Sequence, residues 1–255
     1  MEKSAAFFDV DNTLSRGSTL FLVARGLARR GFFSTRMVAK FALAQTRFRL
    51  SGKEKFKEIA NVRQAALIFV QGHRTSELAE IAEEIYDESI SRSLWAGTVA
   101  LAQEHLAAGR QVWLVTASPL EMGEVIARRL GFTGALGSIA ASVDGIYTGE
   151  LVGELLHGAA KATAVRELAS KNGLDLANCY AYSDSANDLP LLAAVGHPCV
   201  INPDTKLKRH AKANGWPIED YRRVRRIAKL AAPAVAGLGA LAALFSRKPW
   251  GPKRR

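Results

Sequence analysis

A short apolar run that ends in two acidic residues constrains this chain more than any other feature. Ala5-Ala6-Phe7-Phe8-Asp9-Val10 reads as a buried strand whose C-terminal end delivers Asp9 and Asp11 to one edge. Three later runs have the same form. Gln111–Val115 leads into Thr116-Ala117-Ser118-Pro119, Cys179–Tyr182 ends at Ser183-Asp184, and Pro198–Ile201 is closed by Asn202-Pro203. Helical patterns lie between them: Trp95–Ala108 before Gly109, Leu120–Leu130 before Gly131, Lys161–Asn172 before Gly173, and Asn187–Val195 before Gly196. Strands alternating with helices of this length predict an α/β fold, a doubly wound parallel sheet with helices on both faces. The segment Ser138–Val152 predicts a small hairpin that turns at Asp144-Gly145.

Residues 16–94 interrupt the alternation with a helical pattern. Between Arg16 and Lys57 they hold eleven Lys/Arg and a single acid, Glu54, whereas Glu77, Glu80, Glu83, Glu84, Asp87 and Glu88 make the later half acidic. An all-helical insertion after the first strand would cover the sheet edge where ligands bind in such folds. The expected domains are therefore a core of 1–15 and 95–220, a helical cap of 16–94 and a tail of 221–255.

The net charge of +11 resembles a nucleic-acid signal until it is located. Ten of the 35 Lys/Arg fall in 221–255, which has no Asp or Glu, so the first 220 residues carry 25 bases against 24 acids. Few aromatics interleave with the tail's charge, and no nucleic-acid partner is expected. Leu230–Phe245 is uncharged and short for a bilayer span of about 20 residues. Basic clusters flank it, which suits an anionic membrane surface. Interfacial association, a short C-terminal anchor and a soluble tail all stay open. Cys179 and Cys199 sit in apolar runs and read as packing residues, no secretory signal precedes the first strand, and a cytoplasmic location, peripheral to or anchored at the inner face of a membrane, is expected.

The strand ends suggest one site. Asp9 and Asp11 come from the first, Thr116 from the second, Asp184 and Asp188 from the third, with Lys161 at the start of the helix before it. A carboxylate can attack phosphorus and split hydrolysis into two steps. A hard cation on oxygen ligands offsets the repulsion between carboxylate and phosphate. Thr116 and Lys161 can hold phosphate oxygens, and Asp11 can exchange a proton with the leaving group and with water.

In their order, Asp9-Val10-Asp11-Asn12-Thr13, then Val115-Thr116, then Lys161, then Ser183–Asp188 resemble the four motifs of the haloacid dehalogenase-like hydrolases. The insertion after the first motif is similar to the cap of subfamily IB, the phosphoserine phosphatase-like group. The resemblance covers residues 5–204. It implies that Asp9 is nucleophile and Mg²⁺ ligand, and that Asp11 is acid/base and supports the metal from outside its ligand set. It further implies that the Val10 carbonyl and Asp184 bind Mg²⁺, that Thr116, Lys161 and Asn187 bind phosphate, and that Asp188 supports the metal and Lys161. Related transport ATPases carry Lys two residues after the nucleophile; Asp11 here implies rapid hydrolysis of the phosphoenzyme. Phosphoserine phosphatases have an acid where this chain has Gly17-Ser18-Thr19, and Arg63 is the cap residue that would bind a substrate carboxylate. The implied activity is Mg²⁺-dependent hydrolysis of a small or lipid-derived phosphomonoester. The alternatives are phosphoserine phosphatase itself and a membrane-surface binding protein with a vestigial core. Asp188 could equally cap the helix that follows it.

Overall fold

The five residues of β1 (Ala5–Asp9) are all buried, as an uninterrupted apolar run covered on both faces requires. In the computed structural model, which describes residues 3–32, 43 and 70–222, β1 lies at the centre of a seven-stranded sheet. The other strands are β2 (Gln111–Pro119), β3 (Gly134–Val143), β4 (Ile146–Val152), β5 (Tyr180–Ser183), β6 (His197–Ile201) and β7 (Ile218–Glu219), in the order β4-β3-β2-β1-β5-β6-β7. All neighbours pair parallel except β3 and β4. The described helices are α1 (Thr19–Arg29), α2 (Thr75–Ile85), α3 (Ala96–Ala107), α4 (Leu120–Leu130), α5 (Ala159–Asn172), α6 (Leu189–Leu192) and α7 (Thr205–Ala213). This is the predicted α/β sheet.

The two faces of the sheet pack differently. On one, Phe7, Val115, Ala181 and Val200 meet Val165 and Ala169 of α5, Leu191 and Leu192 of α6, and Leu207 of α7 in a continuous apolar cluster. On the other, Phe8 stacks on Tyr182 with centroids 4.3 Å apart, and the buried His105 of α3 meets both rings. Because successive strand side chains point to opposite faces, neighbouring Phe7 and Phe8 anchor different cores.

The helix ends follow local chemistry. The Ser18 hydroxyl accepts from the Phe21 N–H at the start of α1, and α4 and α5 stop at Gly131 and Gly173, whose φ values of 71° and 63° suit glycine. The hairpin turns at Asp144-Gly145, with φ of 50° and 74°. It begins earlier than expected, because Gly134–Leu136 pair parallel with β2 before the strand turns back with β4. The helix expected over 187–195 is instead a 3₁₀ turn, Ala186–Asp188, followed by the four residues of α6. Pro190 lies in its first turn and lacks a backbone N–H.

Of the insertion, α1, α2, a π-helical turn (Tyr86–Ile90) and a 3₁₀ turn (Ser91–Ser93) are described. Arg30, next after α1, pairs with Glu84 at 2.6 Å and Glu88 at 2.8 Å, while Arg129 of α4 pairs with Glu83 and Asp87. The acidic half of the insertion is thus zipped between two basic elements, so Arg30 is not free to steer an anion. Such exposed pairs each contribute about 1 kcal/mol or less. The returning chain is pinned to the hairpin, where the Gly72 N–H donates to the Tyr147 carbonyl and the Tyr147 N–H to the His73 carbonyl.

Residues 1–219 form one compact unit, and 220–255 a second, of which only Asp220–Arg222 are described. The apolar segment 230–245, its basic flanks and Arg63 lie outside the described residues. Among the described residues no helix is long and apolar enough to cross a membrane.

Candidate active site

Asp9 ends β1 opposite Val115 of β2, so Thr116 stands one residue beyond it on the adjacent strand. Asp184 follows the last residue of β5, on the other side of β1. The sheet thereby brings three chain-distant segments to the C-terminal edge.

Just after β1 the chain reverses. Asn12 adopts φ of 61°, a left-handed conformation that asparagine tolerates, and its side-chain oxygen accepts from the Gly17 N–H. The Asn12 carbonyl accepts from the Asn202 amide at 3.1 Å, which ties the loop to the end of β6. In this turn the Val10 carbonyl accepts from the Leu14 N–H at 3.0 Å and the Ser15 N–H at 2.9 Å. A carbonyl oxygen offers two lone pairs, and both are engaged. The Val10 carbonyl, expected as a metal ligand, is held within the turn by these two hydrogen bonds.

Both oxygens of Asp9 are held. Oδ1 receives a hydrogen bond from Lys161 Nζ at 2.5 Å, and Oδ2 one from the Thr13 hydroxyl at 3.1 Å. Lys161 arrives on the first turn of α5, only 3 % exposed, and also donates to Asp188 Oδ2 at 2.8 Å. Asp188 accepts a further bond from the Ser183 hydroxyl at 2.8 Å. Its side chain makes no capping bond to α6, so it orients Lys161 and does not cap the helix. Asp11 Oδ1 accepts from the Thr19 N–H at 2.7 Å, at the N-terminus of α1, where the helix dipole favours a carboxylate. The acid/base candidate is thereby joined to the first helix of the insertion.

The electrostatics match the crowding. Burial, with the charges of Asp188 and Asp11 nearby, pushes Asp9 up to about 7 in spite of the Lys161 ammonium. Burial and then the charges of Asp9 and Asp188 push Asp184 up to about 8. Lys161 is raised above its ordinary range, because the attraction of Asp9 and Asp188 exceeds the desolvation that opposes it. A cluster of carboxylates that resists full ionisation is suited to a divalent cation. Among the described residues no three His, Cys or acidic side chains converge as a ready-made ligand set. Asp9 and Asp184 would hold such an ion only with oxygens from substrate and water, which is how Mg²⁺ is commonly bound.

Asn187 lies in the 3₁₀ turn after Asp184, and its backbone abuts Gly158 at the start of α5. Sequence reasoning quoted Thr13 and Ser183 inside the motifs without giving either a task. The spacing of four residues from Asp9 to Thr13 across one tight turn was the available signal for Thr13. For Ser183 it was its position beside Asp184 at the strand end.

Comparison with known proteins places this geometry. Residues 6–193 match the family described as haloacid dehalogenase-like hydrolase. A Mycobacterium tuberculosis protein named phosphoserine phosphatase SerB1 is 53% identical over 249 residues, covering 96% of this chain and 81% of that protein. A Bordetella pertussis structure of a protein with unknown function superposes with a TM-score of 0.76 at 30% identity, covering 86% of this chain and 99% of that one. A substrate-bound phosphoserine phosphatase structure shares the fold at a TM-score of 0.60 and 21% identity, covering 90% of this chain and 99% of that one. With four ordered motifs meeting at one sheet edge and a matching stretch of this length, the chain belongs to the haloacid dehalogenase-like hydrolases and is an enzyme of their phosphatase kind.

Proposed function

We propose that the chain is a Mg²⁺-dependent phosphomonoesterase that acts through an aspartyl-phosphate on Asp9. The observation that carries this reading is the grip on Asp9: Lys161 on one oxygen, Thr13 on the other, inside a crowded carboxylate cluster. An oxygen of Asp9 attacks phosphorus and forms an O–P bond as the bond to the leaving alcohol breaks. Asp11 gives that alcohol its proton. Asp11 then takes a proton from water, whose oxygen attacks the aspartyl-phosphate; the Asp9–phosphorus bond breaks and inorganic phosphate leaves. Lys161 and the Thr116 hydroxyl hold phosphate oxygens, Asn187 borders them, and Asp188 with Ser183 keeps Lys161 in place. Bound by Asp9 and Asp184, Mg²⁺ would supply positive charge against the repulsion between carboxylate and phosphate. Asp11 and Asp188 support the ion without ligating it. Residues 16–94 act as a cap over the core of 1–15 and 95–220.

The substrate in this reading is a small or lipid-derived phosphomonoester, and the name of the 53%-identical relative favours phosphoserine as the second reading. Against phosphoserine, no acid occupies 17–19, and the Ser18 hydroxyl there is used to cap α1. Arg63 is the residue proposed for a substrate carboxylate. A vestigial core is disfavoured, since Asp9, Asp11, Asp184 and Lys161 are all retained in one electrostatic cluster. The basic and apolar tail, 221–255, is proposed to rest on an anionic membrane surface at the cytoplasmic side. Sedimentation of the full chain and a 1–222 truncation with phosphatidylserine vesicles tests this, and equal behaviour refutes it.

The test of activity is hydrolysis of p-nitrophenyl phosphate with and without Mg²⁺. Asp9→Asn should reduce kcat below detection and leave the thermal midpoint no lower than wild type's. Absence of Mg²⁺-dependent turnover in wild type would overturn the proposal. A panel of phosphoserine, sugar phosphates and lysophosphatidate then ranks the substrate classes.

A further inference from the structure

Two residues beyond Thr116, Ser118 is only 2 % exposed, and its hydroxyl has no hydrogen-bond partner among the described residues. Buried hydroxyls are almost always paired, because a dry, unpaired one destabilises the fold. The neighbouring serines of the site obey that rule. Ser183 donates to Asp188, and Ser138 donates to the Ala117 carbonyl while accepting from the Leu156 N–H. Ser118 is the exception, and its place is informative. Its own N–H donates to Thr116 Oγ1 at 3.0 Å, which holds the Ser118 backbone directly against the Thr116 hydroxyl. With that lone pair of Thr116 occupied, the hydroxyl hydrogen of Thr116 is left to donate elsewhere.

Burial does not separate Ser118 from the reacting groups. Asp9 is 5 % exposed, Thr116 2 % and Lys161 3 %, so Ser118 is no more secluded than the groups beside it in the site. Immediately after Ser118 comes the N-terminus of α4, where Pro119 makes no side-chain cap. Uncapped N–H groups and the helix dipole there favour an anion beside the hydroxyl. Glu121, in the same first turn, is engaged by the Tyr147 hydroxyl at 2.6 Å.

We propose that Ser118 is a second substrate-binding hydroxyl, which donates to an oxygen of the bound phosphomonoester beside Thr116. The unpaired state is then the free enzyme's half of a hydrogen bond that substrate completes. This inference rests on the phosphatase reading and extends it to a residue outside the assigned phosphate-binding set.

Ser118→Ala in the full-length chain separates this role from a structural one, because the two predict opposite outcomes. A hydroxyl that serves the fold would lower the thermal midpoint when removed. One that waits for substrate leaves the midpoint equal or raises it, while KM for p-nitrophenyl phosphate rises about ten- to hundredfold, the worth of a hydrogen bond to a charged group. Calorimetric titration with inorganic phosphate shows which oxygen is touched. Phosphate binding weakened in parallel places the contact on the phosphoryl group; phosphate binding unchanged with KM raised places it on the ester oxygen. An unchanged KM together with unchanged phosphate affinity, or a lowered midpoint, overturns the inference. Should wild type bind phosphate but hydrolyse nothing, the phosphatase proposal fails, and the phosphate titration still reads Ser118 independently.

Discussion

Replacing Lys161 by methionine removes the one ammonium that both Asp9 and Asp188 contact, at 2.5 and 2.8 Å, and the length of the side chain is kept. All three groups are nearly inaccessible to water. Deleting one partner of a buried ion pair costs about 3–5 kcal/mol, because the remaining charge is dry and unpaired. The carboxyls have one escape, which is to take up a proton. Starting from the ordinary Asp value of 3.8, that costs about 3 kcal/mol at pH 6 and about 6 kcal/mol at pH 8.5. Protonation therefore caps the loss at about 3 kcal/mol at pH 6, while at pH 8.5 the unpaired charge sets it at about 3–5 kcal/mol. The sign follows from linkage. Asp9 already stands at about 7 and Asp184 at about 8 with the ammonium present, and removing it pushes Asp9 higher. An acid whose folded pKa is raised contributes stability that is present at low pH and lost as pH rises through that value. The deficit of Lys161→Met must widen from pH 6 to pH 8.5, which urea unfolding of both proteins at the two pH values measures. A variant as stable as wild type at pH 8.5, or one with a larger deficit at pH 6, would refute the placement of the Lys161 ammonium between Asp9 and Asp188.

Two further expectations test parts of the fold that support the site. Burial, aided by the Arg110 charge, holds His105 down at about 4 against an ordinary 6.5, while its Nε2 meets the Tyr182 hydroxyl at 2.7 Å. A lowered base contributes stability that is full above pH 6.5 and lost as pH falls through 4, about 3 kcal/mol in all. The stability difference between wild type and His105→Gln should shrink across that window, and a flat difference would remove the histidine as its cause. A Cβ at Gly196 would overlap the backbone carbonyl of Ala177, whose segment also receives the Gly196 N–H at Leu176. Gly196→Ala should therefore lower stability by at least about 2 kcal/mol, since backbone must move; an unchanged urea midpoint would contradict the close approach.

Some of this was legible before any tertiary contact was known. Ala5–Asp9 announced a buried strand because only a strand covered on both faces tolerates an unbroken apolar run, and Gly131 and Gly173 announced helix ends because their backbone must turn left-handed. Local chemistry of this kind is written in adjacent residues. The helix expected over 187–195 is confined to Leu189–Leu192, and the side chain of Asp188 is spent on Lys161 and Ser183, 27 and five residues away, and not on a cap. Likewise motif resemblance does not say which lone pairs a loop engages, as the two hydrogen bonds to the Val10 carbonyl illustrate.

The chain alone determined that acids would stand at the ends of parallel strands, with a basic residue starting the helix before the last of them. Pattern and order suffice for that, because period and turn chemistry are properties of neighbouring residues. Which oxygen each donor meets was decided only by the tertiary structure. Lys161 reaches Asp9 across 152 positions, the Thr13 hydroxyl closes the other side, and the Ser118 hydroxyl is left without a partner. Hydrogen bonding depends on tenths of an ångström between groups that no sequence interval encodes, and burial, which sets the charge of Asp9 and Asp184, is a property of the whole packed molecule.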